Sequence, residues 1–284
     1  MGVQIAKENK MNKKLILVAL PALVLTGCNK KLDVKAAVER AEEIKTHEVD
    51  YSKIQALKFT YEMSSKESGK DNGTAYEESH TSSGKFEFSR KKSFFHLVSV
   101  SESKSTSETE KREEERWLYV KDSNFYSVVR EVDKDGETKV YSVVENGGDA
   151  FKAALDQLFK YTLSAARGTS YLSIVSQVAE AEEQPAVEGH KSSYKFTFRS
   201  KGEGSLTVKG KYTEEESGSE ESYTESAKYK VVWEDYFIKN ASVKTTYSGK
   251  SGEDDYKGEE KASAKLKFKF SAVKYPKLDG YTKQ

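Results

Sequence analysis

The chain has 284 residues, 33% of them charged and 36% hydrophobic, with 47 basic against 46 acidic side chains and a formal charge of +1. The two signs are interspersed, with no basic stripe to meet phosphates in register, so no nucleic-acid partner is expected. One cysteine excludes a disulfide framework or a cysteine-built zinc site, and aromatics at 11%, with seventeen tyrosines, argue against simple disorder.

The chain starts with Lys13 and Lys14, an apolar run over residues 15–25 broken by Pro21, and the tetrad Leu25-Thr26-Gly27-Cys28. The run is far shorter than the roughly 20 residues that cross a bilayer core. A charged region, an apolar region and small residues before a cysteine follow the order of an export leader. The tetrad resembles the lipobox of bacterial lipoproteins. That resemblance implies cleavage before Cys28, its acylation with fatty acids such as palmitate, and a membrane partner on the extracytoplasmic side of the cell. Met11 directly precedes the charged region, so residues 1–10 read as an upstream start-site extension. Loss of the leader removes Lys7, Lys10, Lys13, Lys14 and Glu8, which takes the formal charge to −2. The expected division is a leader at 1–27, a lipidated tether at 28–32 and one domain at 33–284.

Val34, Ala37, Val38, Ala41 and Ile44 fall at helical intervals behind Asp33, which predicts a capped helix of about three turns close to the lipid surface. From Ile54 the period becomes two: Leu57, Phe59 and Tyr61, then Phe86 and Phe88, then Trp117 and Tyr119 predict strands. Turn signals lie between them at residues 68–73, 90–92, 121–124 and 133–136, which favours antiparallel hairpins. Asp149 is the expected cap of a helix carrying Phe151, Leu155, Leu158, Phe159 and Leu163. Thr169 is the expected cap of a second helix carrying Leu172, Val175 and Val178, and Pro185 ends the region. Strands resume at Tyr194-Phe196-Phe198, Leu206-Val208, Tyr229-Val231-Trp233 and Val243-Thr245-Tyr247. The last predicted strand runs through Ala264, Leu266, Phe268, Phe270 and Ala272, with Lys265, Lys267 and Lys269 on its other face.

Residues 83–100 align without gaps onto residues 226–243, and both read as strand, tight turn, strand. The Ser/Thr/Glu/Lys runs at 101–116 and 213–226 read as long hairpin ends or loops reaching into solvent.

No catalytic constellation is legible. His47, His80, His96 and His190 are far apart with no ligand-spaced pair, and Asp133-Lys134-Asp135-Gly136 reads as a turn rather than a calcium loop. No enzyme activity, metal or cofactor is expected. What remains is aromatic strand faces. Trp117, Tyr119, Phe196, Phe198, Trp233, Phe268 and Phe270, with Leu158 from the helix, are the candidate lining of an apolar ligand site, and the competing reading makes them core.

The layout resembles the superfamily of the lipoprotein carrier LolA and the mycobacterial lipid-binding lipoproteins related to LppX. It rests on the Asp33 helix, two runs of strands around central helices, and the segments Trp117-Leu118-Tyr119-Val120-Lys121-Asp122-Ser123-Asn124-Phe125-Tyr126 and Trp233-Glu234-Asp235-Tyr236-Phe237-Ile238. The resemblance implies an α+β fold: a large curved antiparallel half-barrel with helices on one face and an apolar cavity between. The polar runs depart from that family, and an acylated Cys28 fits an anchored protein better than a shuttle. The expected function is therefore an anchored envelope lipoprotein binding a lipid or other hydrophobic ligand, the alternative being a structural or adhesive surface module. Protein partners are not legible.

Overall fold

A computed structural model describes residues 29–183, 188–218, 221–270 and 272–284, with the backbone alone at residues 159–165 and 183. The leader, Cys28, Pro185 and the side chains of Phe159 and Leu163 lie outside the described residues.

Among the described residues, thirteen strands and three α-helices follow one another. After β1 (Lys30–Leu32) and α1 (Val34–Thr46) comes a meander of β2 (Ala56–Asp71), β3 (Thr74–Ser89), β4 (Phe94–Lys104), β5 (Thr109–Lys121), β6 (Asn124–Asp133) and β7 (Gly136–Val144). Two helices, α2 (Gly148–Arg167) and α3 (Ser173–Glu183), lead to a second meander of β8 (His190–Ser200), β9 (Leu206–Ser217), β10 (Glu221–Glu234), β11 (Phe237–Ser251) and β12 (Asp254–Lys267). The short β13 (Thr282–Lys283) closes the chain. All thirteen join one open sheet in the order β1-β8-β9-β10-β11-β12-β2-β3-β4-β5-β6-β7-β13, because β12 returns to pair with β2. Every pairing is antiparallel except that of β13 with β7. Every described helix, strand and core side chain lies within residues 29–284.

The expected α+β class is thus corrected to a mainly β protein with a few helices. The polar runs make the difference. Residues 101–116 and 213–226 carry no apolar signal, yet they are the outer ends of the β4–β5 and β9–β10 hairpins, held by backbone ladders that need no particular side chain. Part of the expected tether, Lys30–Leu32, is β1 and pairs with β8.

The N-terminal helix forms as the sequence predicts, with Asp33 accepting from the Ala36 amide at 2.8 Å and Ala37, Ala41 and Ile44 buried. Asp149 is not a cap but sits in the first turn of α2, where it pairs with Lys152 at 2.9 Å. Thr169 opens a 3-10 turn, Thr169–Leu172, behind Gly168, whose φ of 59° puts it in the left-handed region. A Cβ at Gly168 would strike Ile238.

The two aligned segments are both hairpins with different turns: residues 90–93 join β3 to β4, whereas Asp235 and Tyr236 alone join β10 to β11. A register shift between Val232 and Trp233 adds to the difference, so that Ser83 stands opposite Val100 while its aligned counterpart Ser226 stands opposite Thr246.

Odd positions of β2 and even positions of β3, β8, β9 and β12 point to one face, called inner here, because Leu57, Phe59, Phe86, Phe88, Phe198, Val208 and Leu266 meet the helices there. At the end of the sheet that holds the Asp235-Tyr236 turn, this face is filled. Trp233 is fully buried and donates from Nε1 to the Arg167 carbonyl at 2.9 Å, and Arg167 in turn donates to the Ile44 and Lys45 carbonyls at the end of α1. The outer face carries a second, smaller cluster of Phe94, Trp117, Tyr119 and Val128, covered by Phe270, Val273, Leu278 and Tyr281 from the C-terminal segment.

Candidate functional site

The eight aromatic and aliphatic candidates do not converge on one cavity. Phe198 and Trp233 are buried in the inner core, with Phe196 and Leu158 half-buried beside it. Trp117 and Tyr119 belong to the outer cluster together with Phe270, whose ring centroid lies 5.6 Å from that of Phe94. Phe268 is 48% exposed, and its ring meets that of Phe237 edge-on, with centroids 5.5 Å apart. The predicted last strand is corrected accordingly. β12 ends at Lys267, and beyond it the chain leaves the ladder, so Phe268 and Phe270 are free of the strand alternation that the sequence pattern assumed.

A different site stands on the inner face beyond the packed core, with α3 along part of its border. The inward positions there continue the same parity but change character: Ser65, Glu67 and Gly69 on β2, Glu78 and His80 on β3, Tyr223 and Glu225 on β10, Tyr247 and Gly249 on β11, Tyr256, Gly258 and Glu260 on β12. Glycines face aromatics across the ladder repeatedly, and at Gly84 opposite Tyr61, Gly210 opposite Phe196, Gly249 opposite Tyr256 and Gly258 opposite Tyr247 a Cβ would strike the ring. The missing side chain lets each ring lie flat over its neighbour.

At Gly258 this has a polar consequence. The Tyr247 ring crosses β12 and its hydroxyl donates to Glu67 Oε2 on β2 at 2.8 Å, while Tyr76 donates to Oε1 of the same carboxylate at 2.7 Å. Tyr212 and Tyr223 both donate to Glu225, and Tyr194 donates to Glu214. The Glu67 hydrogen bond holds the Tyr76 phenol up at about 12. Burial first, and the carboxylate hydrogen bond second, push Tyr194, Tyr212, Tyr223 and Tyr247 upward as well.

Hollows of about 380 Å³ beside Ser65, Glu67, His80 and Tyr247, and of about 310 Å³ between α3 and Tyr194, Glu214 and Glu225, open along this trough. Its walls are phenols whose protons are committed to carboxylates, carboxylates with spare lone pairs, and hydroxyls. Such a lining attracts cations and accepts hydrogen bonds from donor-rich groups.

The four histidines stay apart. His80 bonds Ser103 at 2.8 Å, His96 bonds Glu115 at 2.8 Å and stacks on Trp117, His190 bonds Glu216 at 3.2 Å, and His47 stacks on Tyr236 with centroids 3.5 Å apart. Glu234 accepts from Lys201 at 3.0 Å and from Lys239, so it serves as a structural counter-ion at the Asp235 turn.

The sequence reading missed Glu67, Glu225, Tyr212 and Tyr247. The available signal was the parity of the strands, which continues past the apolar positions into Tyr, Glu and Gly.

Fold and trough together define an open, mainly antiparallel β-sheet protein with helices seated on part of one face. No family model matches the chain, and no curated protein matches it. Among solved structures it is similar to the translocator domain of autotransporter NalP from Neisseria meningitidis. That match has 5% identity, covers 81% of this chain and 93% of that one, and has a TM-score of 0.20, too low to carry any argument about this chain.

Proposed function

We propose that the chain is an envelope lipoprotein, anchored through Cys28, whose inner trough binds a cationic, donor-rich ligand such as a basic peptide without transforming it. The observation that carries this reading is the pairing of tyrosine hydroxyls onto Glu67, Glu214 and Glu225, which fixes acceptor carboxylates along a trough that stays open beside the packed helices. Fixed carboxylates attract a cationic ligand with little reorganisation. The test is calorimetry of residues 29–284 with a hexa-arginine peptide. Salt-sensitive binding that falls about tenfold or more in Glu67→Gln/Glu225→Gln is expected, and binding unaffected by that double substitution overturns the reading.

A second reading, the hydrophobic ligand implied by the resemblance to lipid carriers, draws support from the half-buried Phe196, Tyr229, Tyr171 and Leu158 packed beside the inner core. It predicts that a fluorescent acyl probe binds and that Leu158→Trp blocks it, with no response to the Glu67→Gln/Glu225→Gln substitutions.

A further inference from the structure

The sequence has no basic stripe along its length, but the sheet assembles one across its strands. On the outer face, Lys195 of β8 stands directly opposite Lys211 of β9, Lys211 opposite Lys228 of β10, Lys228 opposite Lys244 of β11, and Lys244 opposite Lys261 of β12. Five lysines therefore form an unbroken ladder perpendicular to the strands, with neighbours about 4.8 Å apart along the hydrogen-bonding direction. Below it Lys209 faces Lys230, and towards the strand ends Lys58 faces Lys267. Like charges directly opposite one another destabilise a sheet, so the arrangement works against folding. Glu259 offsets part of it by pairing with Lys244 and Lys261. Lys195, Lys211 and Lys228 form no ion pair with a described carboxylate and are all exposed. The neighbouring charges of Lys265 and Lys269 push the Lys267 ammonium below its ordinary value, the mark of a concentrated positive field.

Three features fix what this surface can meet. First, it is two-dimensional, with rows of lysines separated by Ser242, Ser263, Thr60 and Ser64, and two adjoining hollows of about 480 and 650 Å³ where Lys230, Lys244, Lys261 and Lys265 outnumber Glu62 and Glu102. Second, the opposite face of the same strands carries the carboxylates of the trough, so the sheet is polarised through its thickness. Third, β1 lies at the edge beside β8, with Lys31 opposite Arg199, so the first described strand adds to one edge of this basic face.

We propose that the outer face of β8–β12 is a docking surface for an anionic lipid bilayer, laid flat on the membrane with the trough turned outward. This rests on the anchoring reading for its biological setting, but not for its chemistry. A single acyl chain binds membranes marginally, and a polybasic patch is one of the further signals that strengthen such attachment. Each lysine within a Debye length, about 10 Å, of an anionic surface strengthens binding roughly fivefold.

The experiment is partitioning of residues 29–284 onto vesicles of phosphatidylcholine alone or mixed with phosphatidylglycerol. Binding to the mixed vesicles only, reversed by high salt, is expected. Lys195→Gln/Lys211→Gln/Lys228→Gln should lower it about a hundredfold, whereas Lys35→Gln/Lys45→Gln/Lys152→Gln, the same change of net charge on the helices, should leave it nearly intact. The ladder variant should melt at the same temperature or higher, because it removes repulsion. If it unfolds instead, Lys209→Gln/Lys230→Gln takes its place, with a loss of roughly twentyfold expected. Equal loss in the ladder and helix variants, equal binding to neutral vesicles, or tighter binding of a mixed-sequence polynucleotide than of anionic vesicles overturns the proposal. Failure of anchoring itself reads out separately, as unchanged membrane fractionation and leader cleavage in Cys28→Ala cells.

Discussion

The two halves of the inner face are made by the same strands and differ in almost everything else. On β2 the inward side chains run Leu57, Phe59, Tyr61 and then Ser65, Glu67, Gly69; on β10 they run Trp233, Val231, Tyr229 and then Glu225, Tyr223. The first set packs into the helix-covered core, fully buried except for the half-buried Tyr61 and Tyr229, and the second builds the trough. The 16 residues of β2 extend over about 53 Å, whereas the 20 residues of α2 reach only about 30 Å. Alternation decides which way a side chain points, and the helices decide how far along the strand that direction means burial.

Substitution at Trp233 should break this contrast most severely. Trp233→Ala empties a fully buried indole site and orphans the Arg167 carbonyl, and should cost about 3–5 kcal/mol in denaturant melts, against under about 1 kcal/mol for Ser65→Ala in the open half. Comparable costs at the two positions would erase the distinction between the halves.

Gly168→Ala comes next, at about 1–3 kcal/mol, because it forces a left-handed φ on alanine and drives a methyl group into Ile238 at the junction of α2 and the sheet.

In the open half, Gly258→Ala should cost about 1–2 kcal/mol by lifting the Tyr247 ring and breaking its bond to Glu67. Tyrosinate absorbance would report the same event as a Tyr247 phenol moving back toward its ordinary value.

Alkaline titration sharpens the comparison without a mutation. Below pH 10 the trough phenols are neutral in both folded and unfolded chains. Above it the unfolded chain ionises while folded Tyr76 holds its proton to about 12, so stability should fall as pH rises through that window. A melting temperature flat from pH 9 to 12 would contradict the hydrogen-bonded trough. The smallest effect belongs to Phe268→Ala, within about 1 kcal/mol, since that ring is 48% exposed.

Much of the architecture was legible. Val34, Ala37, Ala41 and Ile44 marked α1, and Leu57, Phe59, Phe86, Phe88, Phe196 and Phe198 marked the inward parity of β2, β3 and β8. Trp117 and Tyr119 showed alternation equally well but gave the wrong company. Period two assigns residues to the same face of one strand, and says nothing about which face of the sheet a different strand turns toward the helices. Phe268 and Phe270 misled because alternation in sequence outlasts the ladder: β12 stops at Lys267, and a chain without pairing partners has no obligation to alternate sides.

By itself, then, the sequence determined what depends on near neighbours: the helix behind Asp33, the alternating strands, a turn at the end of the 68–73 segment though not that Ser68–Asp71 are still strand, and the polarity of each segment. Only the tertiary structure decided what depends on register between segments far apart in the chain. Closure of β12 onto β2, the carboxylate of Glu67 shared by Tyr76 and Tyr247, and the five-lysine ladder from β8 to β12 all exist because backbone hydrogen bonds align positions as far apart in the chain as Lys58 and Lys267. A pairing of that kind is set by the sum of many weak ladder and packing terms across the whole sheet, and no local stretch of sequence contains it.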